Sequence, residues 1–193
     1  LLLQTSRGIE NFIGYLIVGV TLFPPLQRAV TGGGQVIVSG KNLIRGFSFP
    51  RAALPVSYTI RCAIDMLPPL TAILILVVAL PPHAYPTWRW ALILPIFLLQ
   101  VLLSLGLTFV TSRITTMIPD MRNIWPFLTQ FWFYGSGIFF SYDRFIDHPA
   151  ILQAMDFNPG YLTIAMYRDA ILYQRVPDAR MWGILTTWAV GLS

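Results

Sequence analysis

WALILPIFLLQVLLSLGLTFVTS, from Trp90 to Ser112, runs for 23 residues without an Asp, Glu, Lys or Arg, and an arginine stands on either side of it, Arg89 and Arg113. A helix needs about 20 apolar residues to cross the hydrocarbon core of a bilayer, so this run is long enough to span. Lipid offers no partner for backbone N–H and C=O groups, which makes a helix the form such a run takes. Outward from it lie three more charge-free runs, Asn11 to Gln27, Met66 to Trp88 and Asn123 to Tyr142, and a fifth apolar stretch opens at Met181. The pattern predicts an all-α, polytopic membrane bundle of about five spans, forming a single domain over residues 1–193.

Composition agrees: 55% of the residues are hydrophobic and 11% charged, whereas soluble domains carry about 25% charged residues. The chain opens at Leu1 and stops inside an apolar run, so it reads as a piece of a longer protein. A lone cysteine, Cys62, excludes an internal disulfide and reads as a buried, inert thiol.

The net charge of +5 is a topology signal rather than a nucleic-acid surface. Arg28, Lys41, Arg45, Arg51 and Arg61 fall in one segment with no acid, while Asp143 to Arg180 holds five Asp against four Arg. Basic loops stay in the cytoplasm, which puts the first segment inside and the second outside. Counting crossings gives the same sides. Pro24-Pro25, Pro68-Pro69 and Pro95 each remove a backbone donor and are expected to kink their helices. Arg61 and Asp65, four apart, are expected to pair at the cytoplasmic end of the second span.

The cytoplasmic segment contains Gly32-Gly33-Gly34 and then Gly40-Lys41-Asn42, a phosphate-loop lookalike. Its spacing is one residue too long, and Asn42 stands where a magnesium-binding Ser or Thr is required. This chain is therefore not expected to hydrolyse ATP. Gln35 to Phe49 instead reads as a short amphipathic element, with Leu43, Ile44, Phe47 and Phe49 supplying apolar contact. It suits docking into a partner's groove or lying on anionic lipid heads.

Nine of the eighteen residues from Trp125 to Tyr142 are aromatic. Trp125, Trp132 and Phe139 recur at seven-residue intervals on one helix face, while Phe127, Phe131, Tyr134 and Tyr142 gather on the other. Aromatic faces bind sliding chains without fixing a register, as they do in single-strand nucleic-acid grooves. Interface anchoring and tight packing are the alternatives. Asn158-Pro159 is a helix N-cap and first-turn pair. The helix it opens, Tyr161 to about Gln174, carries Arg168 and Asp169 and is too short and charged to span; Phe145 to Met155 reads as a second short helix. His83 and His148 lack metal-ligand spacing, and the external Asp residues show no D-x-D arrangement.

Lys41-Asn42-Leu43-Ile44-Arg45, then Phe49-Pro50-Arg51 and Leu54-Pro55, resembles the "N-x-L-I … F-P-R … L-P" stretch of ABC-2 type permeases, in particular exporters of polysaccharide, O-antigen and teichoic acid. Pro119-Asp120-Met121-Arg122-Asn123-Ile124 is similar to the family's "R-D-x-x-x-I" segment, with the Arg-Asp order altered. Gly137-Ile138-Phe139-Phe140, Asn158-Pro159 and Tyr167-Arg168-Asp169 complete the match.

The resemblance implies a six-span permease of the bacterial inner membrane, working as a homodimer with separate ATP-binding subunits that hold the ATP and magnesium. It implies no cofactor and no catalytic residue in this chain. Lys41, Asn42, Leu43, Ile44, Arg45, Phe49, Pro50 and Arg51 would form the coupling helix, and Asn158, Pro159, Arg168 and Asp169 would belong to the external gate. The aromatic span, Trp125, Phe131, Trp132, Tyr134, Phe139, Phe140 and Tyr142, would line the path of a lipid-linked glycan. An exporter of drugs or small lipids is the alternative within the class; an integral-membrane glycosyl- or acyltransferase is the alternative outside it.

Overall fold

A computed structural model describes residues 12–40, 50, 52–79, 87–139, 153 and 155–193, and among these described residues there are seven α-helices and one 3₁₀ turn. They are α1 (Phe12–Leu22), α2 (Pro24–Ser39), α3 (Ala53–Ala79), the 3₁₀ turn Trp88–Leu92, α4 (Ile93–Met117), α5 (Met121–Gly135), α6 (Pro159–Ile171) and α7 (Ala179–Leu192). Three helical stretches among the described residues are long and apolar enough to cross a membrane: Phe12–Ser39, Ala53–Ala79 and Trp88–Met117. Of the five expected spans, these three are seen among the described residues; α5 has 15 residues, and α7 has 14 up to Leu192, next to the last residue given.

The span boundaries move for a physical reason. The first span runs to Ser39 instead of stopping at Gln27, and it is broken at Phe23, where Pro24 opens α2. The Pro24-Pro25 break expected from the sequence is present. Leu26 N–H turns to the Phe23 carbonyl, and the Leu22 carbonyl receives Gln100 Nε2 at 2.9 Å. A side chain from α4 thereby satisfies backbone at the break, as a membrane interior demands.

The second span covers Ala53–Ala79, not Met66–Trp88. Charge marks a boundary in the sequence pattern, yet Arg61 and Asp65 lie within the helix. Pro68 and Pro69 also sit inside the same helix. Pro95 falls in the first turn of α4, just past the 3₁₀ turn Trp88–Leu92, and proline is tolerated best near a helix start.

The glycine triplet lies inside α2 rather than in a loop, and each glycine faces a different helix. A Cβ on Gly32 would fall 1.8 Å from Tyr58 Oη of α3, and one on Gly33 would lie 2.8 Å from Thr108 Cα of α4. A Cβ on Gly34 would lie 2.6 Å from the Trp125 ring of α5. Small residues let helix backbones approach where lipid supplies no hydrophobic drive for association. Polar side chains then bond across the seam: Thr108 Oγ1 donates to the Ala29 carbonyl at 3.2 Å, and Ser112 Oγ to that of Gly33 at 2.7 Å. α2 and α4 are therefore the central pair, with α3 and α5 against α2 and with α7 against α4. Gly40, ending α2, lies against Leu54 at the start of α3.

Candidate functional site

The site is built where α5 ends. Its helix stops at Gly135, and the chain turns through Gly137 at φ +62°, a left-handed conformation that glycine adopts without a Cβ clash. A side chain there would also meet Met155 and Tyr161 at 3.0 and 3.1 Å. The turn presents the Gly137 carbonyl inward, where it accepts from Tyr15 Oη at 2.9 Å and from Arg168 Nη1 at 3.1 Å.

Arg168 is 2% exposed. Its Nε and Nη2 donate to the Tyr15 carbonyl at 3.3 and 3.1 Å, and Nη2 also reaches the Ile138 carbonyl at 3.4 Å. The guanidinium carbon sits 3.3 Å from the centroid of the Tyr15 ring. Carbonyl dipoles and a ring face thus solvate this cation, and no carboxylate stands among those partners. Gly19 leaves it room, since a Cβ there would be 2.7 Å from Nη2. One residue on, burial raises the Asp169 carboxyl above its ordinary range, and Arg175 draws it partly back.

At the opposite end of α6, Asn158 makes a second lock. Its Oδ1 accepts from the Gly160 amide at 3.0 Å and from the Trp132 indole at 2.7 Å, while Nδ2 donates to the Gly135 carbonyl and to Ser136 Oγ, both at 3.3 Å. One cap therefore fastens the start of α6 to the end of α5. Beyond α6, Gln174 turns at φ 48°, and Arg89 Nη1 donates to its carbonyl. Between these fastenings α6 is inserted among α1, α4, α5 and α7, with Leu162, Ile164, Met166, Tyr167 and Ile171 buried.

The two aromatic stripes of α5 have different fates. Trp125 is buried against Gly34, and its indole donates to Thr115 Oγ1 at 2.9 Å. Trp132 is half-buried edge-on to Phe23, with 5.2 Å between ring centroids. Phe127, Phe131 and Tyr134 project outward at 70%, 75% and 52% exposure. Phe139, 38% exposed, leans on Phe133 and Tyr134 at 5.6 and 5.9 Å.

A family model described as ABC-2 type transporter matches residues 8–172 of this chain. The chain belongs to that family. An O-antigen export system permease protein of Myxococcus xanthus, RfbA, is 25% identical over 173 residues, which is 90% of this chain and 66% of that protein. The chain thus spans about two-thirds of that relative's length. It is a membrane component of an ABC-2 type transporter, a transport part rather than a catalytic one. Among its described residues no group of three or more His, Cys, Asp or Glu is placed to hold a metal.

In this ABC-2 domain the structure brings Trp132, Asn158 and Pro159 together at the start of α6 and puts Arg168 and Asp169 near its end. It places Trp125 apart from them, in the α2 seam. Lys41, Asn42, Leu43, Ile44, Arg45, Phe49 and Arg51 lie outside the described residues, as do Phe140 and Tyr142; Pro50 is described and exposed. Sequence reasoning missed Tyr15, Gly137 as an acceptor, and Gln100. Gln100 had a signal, a lone amide near the middle of a charge-free span. Tyr15 had none.

Proposed function

We propose that this chain is the permease subunit of an ATP-binding cassette exporter that carries a lipid-linked polysaccharide, of O-antigen, teichoic acid or cell-wall galactan type, from the cytoplasm to the exterior. In this reading two copies form the path in the bacterial inner membrane, and separate ATPase subunits dock against Lys41 to Arg51. The family match and the naming of the Myxococcus relative support it. The observation that carries the reading is the outward stripe of Phe127, Phe131 and Tyr134 on α5, beside an α6 fastened at both ends. Rings at helical spacing offer stacking faces to a sugar chain without binding one register. Trp125, packed into the α2 seam, positions that stripe, and Phe139 stands at its outer end.

The coupling half of the reading is tested with Leu43→Asp and Ile44→Asp together. Charge on an apolar docking surface should abolish both co-purification of an ATPase subunit and glycan export, while the permease still inserts. Full retention of the ATPase in that double variant refutes the docking assignment.

A further inference from the structure

The ion pair expected at a helix end lies instead at the depth of the bundle's centre. Arg61 Nε and Asp65 Oδ2 stand 4.0 Å apart, with side chains 81% and 53% exposed. Their level is fixed by neighbours on the same helix. Cys62, Ala63 and Met66 border one small cavity with Gln100, Val101 and Ser104 of α4. Val101 is the midpoint of the charge-free run from Trp90 to Ser112. Asp65 therefore sits near the middle of the hydrocarbon layer that this run crosses. The long stem of Arg61 lets its charge reach toward an interface, but Asp65 has a single methylene and cannot.

The backbone adds an independent observation. Pro68 and Pro69 lie inside α3 without interrupting it. Lacking N–H groups, they withdraw the helical donors from the carbonyls of Ile64 and Asp65. Two charges and two under-supplied carbonyls thus share one turn of a helix whose neighbouring residue Ile64 is 60% exposed. In lipid every one of these groups is costly, and intramembrane charges face protein or water-filled cavities. The pair is also loosely held and open, at the limit of ion-pair distance.

We infer that the Arg61–Asp65 face of α3 is a hydrated wall, bordering a water-filled part of the path through the membrane rather than lipid. The inference rests on the exporter reading only in calling that water part of the path. Its substrate-side chemistry is a polar, hydroxyl-rich solute, for which carboxylate, guanidinium and carbonyls without their usual helical donors supply acceptors and donors.

Ile64→Cys and Leu98→Cys, each in a Cys62→Ser background of the full-length protein in liposomes, test it with nitroxide labels and two relaxation agents. Leu98 is 58% exposed and lies within a turn of Val101, so it is a control at matched depth. Both native charges remain in place. Access of a water-soluble nickel chelate should be on the order of tenfold higher at position 64 than at 98, with oxygen access reversed, as a water cavity beside lipid requires. Equal access at the two positions, or access of neither agent to position 64, overturns the hydrated wall. The comparison needs no transported solute. Nickel access at 64 in a protein that fails to export any glycan would leave the wall standing and remove the glycan reading.

Discussion

The guanidinium carbon of Arg168 lies over the ring of Tyr15, 3.3 Å from its centroid, and the same guanidinium hydrogen-bonds to the carbonyl of that residue. Side chain and backbone of one α1 residue thus hold one cation of α6. Because Arg168 also bonds Gly137 and Ile138 beyond α5, three segments distant in sequence meet at a single group. Among the described residues its partners are carbonyl dipoles and a ring face, and a buried cation depends on such partners for its solvation.

Arg168→Ala removes the hub and leaves buried carbonyls short of donors, a loss of about 1–3 kcal/mol for each orphaned group. Thermal unfolding in detergent should shift strongly downward. Tyr15→Phe keeps the ring face and loses one hydroxyl bond, so its cost should be only about 1 kcal/mol. Equal destabilisation by the two variants would show that the cation is not the organising group.

Asn158→Ala deletes a helix cap, which costs typically ~1 kcal/mol and up to about 2, and it also frees the Trp132 indole. Asn158→Asp keeps the acceptor for Gly160 and Trp132 but loses both donated bonds. The order of stability should be wild type, then Asp, then Ala, and indole fluorescence of Trp132 should report a wetter ring only in Ala.

Gly33→Leu forces a side chain against the α4 backbone, and overpacking of this kind costs about 1–3 kcal/mol or more. Gly183→Ala meets nothing within 4 Å and should be neutral or stabilise by up to ~1 kcal/mol through helix propensity. Comparing detergent stability of the two variants separates a packing seam from an open helix face.

Trp125→Ala and Phe131→Ala should part company. The buried indole is a core truncation costing roughly 3–5 kcal/mol, and lost export should follow lost folded protein. Phe131 is open, so its truncation should alter stability by no more than ~0.5 kcal/mol while lowering export. An Ala at position 131 with undiminished export per folded molecule would remove that ring from the path.

Pattern made α4 readable, because a 23-residue run without charge has few places to go other than across a bilayer. The same rule misplaced α3. Treating Arg61 and Asp65 as an end pushed the expected span about a dozen residues toward the C-terminus, since a one-dimensional count cannot know whether a charge faces lipid or water. The glycine triplet belongs on sequence grounds to the cytoplasmic segment and in the structure to α2, because residue type alone does not separate a loop from a close helix approach. Asn158 was legible because a cap acts on amides two and three residues away.

Local chemistry and the demands of the bilayer make the membrane class, the helical form, the break at Pro24-Pro25, the cap at Asn158 and the family motifs readable along the chain. Tertiary structure alone decided which stripe of α5 is packed and which is open, what Gly32, Gly33 and Gly34 each touch, and that Arg168 is held by Tyr15, 153 residues away. Those are contacts between distant segments. Their energy depends on how neighbouring helices are rotated about their axes, a variable that residue spacing along one helix leaves free.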